Sequence, residues 1–362
     1  MNRVEALYVH VPFCQHICAY CDFCKIIYQK DKVDQYLETL KEDLKDKKGP
    51  YKSIYIGGGS PSSLSIDQLD KLFELLKPYM DSKTLITIEV NPEDMNEEKI
   101  KLLVRYGISR VSIGIQTFND GLLKVIGRRH NKAMIETLIN DLRKAGINDI
   151  NGDLMYGLPN QTIADIKNDL DTMTSSLKLN HISTYALLIE PNTYFYVKHI
   201  EALDDDVQAD QYQFICDYLR KANYNHYEVS NFALKGYESK HNLIYWQAKE
   251  YAAVGPGASG YENGIRYKIS DSLTSYCKGE IKKENEVLDD NDKEYEYIIL
   301  SLRLNTGLSF EEFKKRFKKD FLETYKDVVS KLLKNDLVVI EQDHLKVKED
   351  KMFILNQVLQ EF

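Results

Sequence analysis

The sequence predicts an α/β fold: a partial (β/α)6, TIM-like barrel with a smaller α+β, winged-helix-like domain after it. Three observations predict this. Six short β-type runs alternate with longer helical patterns over about 220 residues, the order expected of a parallel sheet with right-handed crossovers. No G-x-G-x-x-G follows the first run; a cysteine-rich loop does, which favours a barrel-like arrangement over a dinucleotide-binding sheet. Beyond about residue 290 the order changes to helices followed by two short strands.

The elements follow in order. ALYVHV, from Ala6, is the first strand candidate, and SIYI (Ser53), LITIEV (Leu85), RVSIGI (Arg110), GDLMY (Gly152) and ISTYALL (Ile182) are the others. Between the first two, DKVDQYLETLKEDLKD places Val33, Leu37, Leu40 and Leu44 on one helical face. SIDQLDKLFELLKPY starts on Ser65 as N-cap and ends near Pro78. NEEKIKLLVRYG starts on Asn96 and closes on Gly107, a C-cap glycine. NKAMIETLINDLRKAG and TIADIKNDLDTMTSSL complete the helical series. VGPGASG, Val254 to Gly260, reads as a glycine-rich loop. YEYIILSLRL, SFEEFKKRF and FLETYKDVVSKLLKN read as C-terminal helices, and LVVIEQDHLKVK as two strands turning at Gln342-Asp343, before a last helix. These readings divide the chain into 1–230 (barrel), 231–290 (an associated extension) and 291–362 (the winged-helix-like domain).

Of 362 residues, 43% are hydrophobic and 29% charged, enough for a large core without staples. The net charge of −8, with both signs interspersed, argues against a nucleic-acid partner, and a winged fold also serves as a packing module. No charged region followed by a long apolar stretch opens the chain, and no apolar run is long enough to span a bilayer. The reading expects a cytoplasmic protein, monomer or homodimer, with peripheral membrane contact left open. In a reducing compartment, clustered cysteines point to metal binding or catalysis rather than disulfides. Cys216 and Cys277 stand apart and read as small apolar residues.

Each of the six strands ends in something polar or glycine-rich: the cysteine loop, Gly57–Pro61, Glu89-Val90-Asn91-Pro92, Gln116-Thr117-Phe118, Asp153 leading into Tyr156–Pro159, and Glu190-Pro191. Ligands bind at the C-terminal ends of strands in such folds, so six coincident ends predict one large shared site. In the first loop, Cys14, Cys18, Cys21 and Cys24 are spaced x3, x2, x2. A structural zinc site wants four ligands, commonly from two separated C-x-x-C pairs. Here the pairs share Cys21, which makes four-fold ligation awkward, though His10 or His16 could complete it. Three closely spaced thiolates can instead hold three irons of a [4Fe–4S] cube, leaving the fourth open.

Cys14-x3-Cys18-x2-Cys21, with Tyr20 before the third cysteine, resembles the radical S-adenosylmethionine (SAM) signature. YVHVPFCQHICAYCDF, IGGGSPSSL, IEVNPED, SIGIQTFND, GRRH, GDLMYGLP, SKHNLIYW and VGPGASG, in that order, resemble the branch of oxygen-independent coproporphyrinogen III oxidases and the haem chaperones related to them. The resemblance runs from about residue 6 to 260 and is looser beyond. It implies that Cys14, Cys18 and Cys21 ligate a [4Fe–4S] cluster whose open iron takes SAM. One-electron reduction of the sulfonium would then give methionine and a 5′-deoxyadenosyl radical. It also implies a SAM site of Tyr8, Tyr20, Gly58, Gly59, Ser60 and Glu89, with Gln116, Arg128 and Asp153 at positions that contact a second SAM in the oxidase. Ser60 stands where a threonine is usual.

Three features separate the two kinds of relative. The oxidases carry a further cysteine two positions after the third ligand; here that position is Phe23, and Cys24 comes one later. The oxidases carry a long segment before the first strand, and here five residues precede Ala6. SKHNLIYW matches the HNxxYW motif of the chaperones, which implies a haem role for His241; neutral imidazole is a good axial ligand, though a packed structural histidine is the plainer reading. The reading therefore expects a haem chaperone, with haem as cargo, acceptor haemoproteins as partners, some at the membrane, and an electron donor for the cluster. The alternatives are the oxidative decarboxylase of coproporphyrinogen, and a radical SAM enzyme with another substrate.

Overall fold

The computed structural model describes residues 4–362. Six strands form the centre: β1 (Ala6–Val11), β2 (Ser53–Gly58), β3 (Leu85–Val90), β4 (Arg110–Gln116), β5 (Asp149–Tyr156) and β6 (His181–Ala186). Each pairs in parallel with the next, in chain order. The helices between them are α1 (Lys30–Leu44), α2 (Ile66–Leu76), α3 (Glu97–Arg105), α4 (Asp120–Ile126), α5 (Lys132–Lys144) and α6 (Ile163–Asp171).

The strands alternate, and the alternation builds the barrel. Val9, Ile56, Ile88, Val111 and Ile150 lie in one register row across β1 to β5, all fully buried. They form the apolar face, which packs with helix residues such as Leu37, Leu69 and Leu103 in one core. The intervening positions point the other way. Glu89, Ser112, Asn151 and His181 make a second row, and Gly114, Asp153 and Ser183 a third. The barrel interior is therefore polar from floor to mouth.

Helix starts follow the capping residues. Ser65 and Thr162 each close a capping box, with Gln68 and Asp165, and Asn96 and Asn131 accept from the N–H three residues on. Gly107 takes φ +70° after α3. Two helices depart from expectation. TIADIKNDLDTMTSSL leaves the α geometry after Asp171 for a π turn, Thr172–Ser176. FLETYKDVVSKLLKN breaks at Tyr325, whose non-helical backbone lets its hydroxyl reach Glu294 Oε1 at 2.9 Å.

A 17-residue helix, α7 (Asp205–Lys221), has no apolar stripe strong enough to read. Its buried face includes Gln208 and Gln211, and Gln211 bridges Gly157 N and Gln161 O across the β5–α6 loop. Outside the six strands the same sheet continues at both edges. β7 (Asn225–Glu228) and β8 (Asn231–Ala233) extend it beyond β6. β9 (Tyr251–Val254) pairs in parallel with β1, and β10 (Ser259–Glu262), β11 (Ile265–Ile269) and β12 (Lys283–Val287) follow antiparallel, twelve strands in all. SKHNLIYW supplies a helix, α8 (Lys240–Trp246), at the floor of the barrel.

The C-terminal segment carries α9 (Asp290–Ser301) and α10 (Phe310–Phe317), with a separate antiparallel sheet of β13 (Leu308–Ser309), β14 (Val338–Glu341) and β15 (His344–Val347). Its hairpin turns through Gln342 and Asp343, both at positive φ. Among the described residues no helix is long and apolar enough to cross a membrane.

Candidate cofactor site at the strand ends

A cavity of about 420 Å³ opens at the C-terminal ends of β1 to β6. Cys14, Cys18, Cys21, Tyr20, Gly58, Gly59, Ser60, Glu89, Gln116, Arg128 and Asp153 all line it. One residue expected there does not. Tyr8 sits lower in the barrel, where its hydroxyl meets His10 Nδ1 at 3.0 Å and its ring leans on Tyr55.

The cysteine loop is held by short backbone contacts. Phe13-Cys14 pairs with Ile26-Ile27 in a two-residue parallel bridge, and Ala19 N donates to Ile126 O at 3.0 Å. Gly59 packs so closely on this loop that a Cβ would meet the Phe13 backbone within 2.9 Å and Cys14 Sγ at 3.1 Å. Gly58, at φ +116°, is fitted against the His10 ring.

Cys24 is turned away. It does not line the cavity; its thiol faces Asp271 O at 3.4 Å and packs on Gly257, while its carbonyl accepts from His10 Nε2 at 2.8 Å. Phe23 instead stands 64% exposed at the mouth. No three metal-ligand side chains among the described residues converge on a single ion position. The cysteines of a cubane each take a different iron corner.

The polar wall is arranged for a charged ligand. Arg128 reaches Asn91 Oδ1 at 2.8 Å and Cys18 Sγ at 3.5 Å with Nη1, and Gly114 O with Nη2. Gln116 sits at a register shift in β4 with φ +68°, which costs a non-glycine residue about 1–3 kcal/mol and turns its amide to the cavity. Gln116 Oε1 and Arg128 Nε are buried with no partner, the signature of groups awaiting a ligand.

Glu89 accepts from Tyr55 Oη at 2.7 Å and Gly58 N at 3.1 Å, yet burial raises its carboxyl to about 7. Asp153, bonded to Asn151 Nδ2 at 2.8 Å, is raised by burial to about 6. Burial also raises Cys14, to about 12, with the Cys21 and Cys18 thiols adding to it. Positive charge brought among these groups would ionise them, and a cluster supplies it to the thiols as a sulfonium would to the carboxylates. These residues fit a [4Fe–4S] cluster with SAM.

Several lining residues lay outside the sequence expectation. Ser112 and Gly114 belong to the alternation of β4, a period-two signal that could have flagged them. Ile17, Tyr185 and Leu188 form an apolar rim with no such signal.

His241 is not at this site. It lies on α8 at the barrel floor, 2% exposed, with Nδ1 against Ser53 Oγ at 2.8 Å and Nε2 against Tyr245 Oη at 2.7 Å. Burial lowers its pKa to about 3, so it is neutral and both nitrogens are engaged. A direct bond to haem iron requires Tyr245 to give way.

Comparison with known proteins agrees with this geometry. Residues 8–173 match the Radical SAM superfamily and residues 288–351 the HemN C-terminal domain. Heme chaperone HemW of Lactococcus lactis is 38% identical over 372 residues, spanning 100% of this chain and 98% of the relative. Heme chaperone HemW of Bacillus subtilis is 33% identical, spanning 99% of each; that of Escherichia coli K12 is 32% identical, spanning 85% of each. The solved structure of coproporphyrinogen III oxidase (HemN) from Escherichia coli superposes with a TM-score of 0.87 at 22% identity, over 99% of this chain and 90% of the other, which shows a shared fold. Membership of the superfamily implies a [4Fe–4S] cluster and SAM. With the three cysteines, the cavity and the full-length relatives together, the chain belongs to the heme chaperone HemW family of radical SAM proteins.

Proposed function

We propose that the protein is a haem chaperone that binds haem, delivers it to acceptor haemoproteins, and carries a [4Fe–4S] cluster with SAM at the strand-end cavity. The observation that carries this reading is the fate of the fourth cysteine in a chain aligned end to end with haem chaperones. Cys24 leaves the cavity and Phe23 takes the mouth, so the loop offers three ligands and lacks the extra cysteine expected of the oxidases.

Cys14, Cys18 and Cys21 hold the cluster in this reading. Tyr20, the Gly58–Ser60 backbone and Glu89 receive SAM, and Gln116, Arg128 and Asp153 complete the wall. When bound, the cluster and SAM supply one-electron reductive chemistry. The chain's own part is placement and shielding. Arg128 fixes Asn91 and the Cys18 sulfur. Glu89 and Asp153 hold or release protons near neutrality and so match their charge to a cationic ligand. His241 belongs to the haem-binding end by its place in HNLIYW. Acceptor haemoproteins and an electron donor are the partners.

The test uses anaerobically reconstituted full-length protein. Mixed with haem it should develop a Soret band and pass the haem to an apo-haemoprotein. Mixed with coproporphyrinogen III, SAM and a reductant it should leave the substrate intact. Formation of protoporphyrinogen, or no haem transfer, overturns the reading.

A further inference from the structure

The first turn of α3 holds a lysine where a helix favours acids. Asn96 caps the helix, and Glu97 and Glu98 follow, in keeping with the partial positive charge of a helix start. Lys99 comes next and shares the buried face with Ile100, Leu102 and Leu103. It is only 9% exposed. A buried ammonium at a helix start is unfavourable on both counts, so its hydrogen bonds must offset burial and dipole together.

Those bonds go to the backbone of two different loops. Lys99 Nζ donates to Ser62 O at 2.6 Å and to Asp94 O at 2.8 Å. Ser62 lies in a 3-10 turn, Pro61–Ser63, that follows β2; Asp94 lies in another, Pro92–Asp94, that follows β3. The ammonium takes one carbonyl from each. The turns also meet directly: Asn91 N donates to Ser62 Oγ at 2.9 Å, and Ser60 Oγ lies 2.8 Å from the same hydroxyl. Ser60 and Asn91 both line the strand-end cavity, whereas Lys99 stands outside it. The turns reach the cysteine loop as well. Ser63 Oγ donates to Phe13 O at 3.0 Å, next to Cys14, and Asn91 Oδ1 holds Arg128, which reaches Cys18 Sγ.

We propose that Lys99 is a positioning residue for SAM: its ammonium, bonded to one carbonyl of each turn, sets the spacing between Ser60 and Asn91 across the cavity wall. The inference rests on the reading of the strand-end cavity as the SAM site and goes beyond it. Sheet pairing fixes the distance between β2 and β3 but not between the turns that leave them. Lys99 supplies that missing restraint from behind the wall. Without it two buried carbonyls lose their donor, and the turns must shift to find water or other partners. The shift falls on Ser60 and Asn91, because Ser62 Oγ ties both to the same turn. This also accounts for a lysine among the apolar residues of α3: Leu or Met would fill the space but could not donate to the carbonyls.

The experiment titrates SAM into full-length protein with its cluster reconstituted and reduced, and follows the cluster's electron paramagnetic resonance signal. In wild type the signal should shift as SAM reaches the open iron. Lys99→Met should keep the iron content per chain and the SAM-free signal, but need about tenfold more SAM for half the shift, a step of about 1.4 kcal/mol. Lys99→Arg, which keeps the charge and more than two donors, should come back to within about twofold of wild type. Leu102→Ala loosens the same helix without touching either turn and should leave the SAM titration where it was. Ser62→Ala removes the hydroxyl that joins the turns and should weaken SAM in the same direction; it decides the matter if Lys99→Met does not fold. A SAM titration unmoved in Lys99→Met, or unmoved in Ser62→Ala when that variant decides, overturns the role of Lys99 and leaves the SAM site standing. So does an equal loss in Leu102→Ala, which would make the effect a general loosening of α3. A wild-type signal that SAM does not shift overturns the reading of the cavity, and this inference with it.

Discussion

At the scale of single residues, the cysteine loop divides three to one. Cys14→Ser, Cys18→Ser and Cys21→Ser should each lose the brown cluster absorbance after reconstitution, while Cys24→Ser keeps it; loss in Cys24→Ser would reassign the ligands. Glu89 offers a second test, in protein without cluster or SAM. Its folded pKa is raised above the unfolded value, so its stabilising contribution is complete below the unfolded pKa and is lost as pH rises through about 7. Glu89→Gln should therefore stabilise that protein by about 2 kcal/mol at pH 8, after the loss of one hydrogen bond, and do nothing favourable at pH 5. The same variant should bind SAM more weakly at pH 8, because the carboxylate that meets the cation is gone. Urea midpoints at the two pH values and a SAM titration decide it; equal midpoints at pH 8 would show that burial is not straining this carboxyl.

At the scale of elements, the cluster loop depends on a satellite core. Phe195, in the short helix Tyr194–Val197, is 2% exposed and packs with Leu122, Leu123, Ile126, Met155 and Leu187, against Ala19 and Tyr20 of the loop. Its amide donates to Ala19 O at 3.1 Å. Its neighbours Tyr194, Tyr196 and Val197 are all exposed, so one side chain pins the strap. Phe195→Ala should cost about 3 kcal/mol and lower the cluster content retained through purification. Full retention, measured as iron per chain, would show that the loop holds itself. The glycine-rich connection from β9 to β10 works similarly: at Gly255, φ +97°, a Cβ would meet His10 O at 2.4 Å, so only glycine lets it close over β1.

At the scale of the whole molecule, twelve strands make one open sheet whose middle is covered, as is the edge strand β7 apart from Asn225, whereas the other edge, β12, is not. β2 and β3 are buried almost throughout, whereas every residue of the edge strand β12 is exposed. Hydrogen exchange should be slowest in β1 to β4 and fastest in β12. Early exchange in β2 would show that the barrel opens as a unit rather than from its edge. Below the strand-end cavity Tyr8, Tyr55 and His241 pack one after another through the barrel interior, with ring centroids 6.1 and 5.2 Å apart.

The sequence alone determined the six central strands, caps such as Ser65, Asn96 and Gly107, and the gathering of Cys14, Cys18, Cys21, Gly58–Ser60, Glu89, Gln116 and Asp153 at one end, while Arg128 came only from the family resemblance. It could do so because period-two and 3.6-residue patterns and capping side chains are local, and because in a parallel sheet every strand end falls on the same side. Helix α7 escaped it because glutamines, satisfied by partners about fifty residues earlier in the chain, fill part of the buried face. Only the tertiary structure decided where β9 to β12 join the sheet, that Tyr8 stands below the cavity, and that Cys24 turns toward Asp271. It alone set His241 between Ser53 and Tyr245 on the barrel floor, because a buried histidine's partners are brought to it by chain segments that the local pattern does not relate.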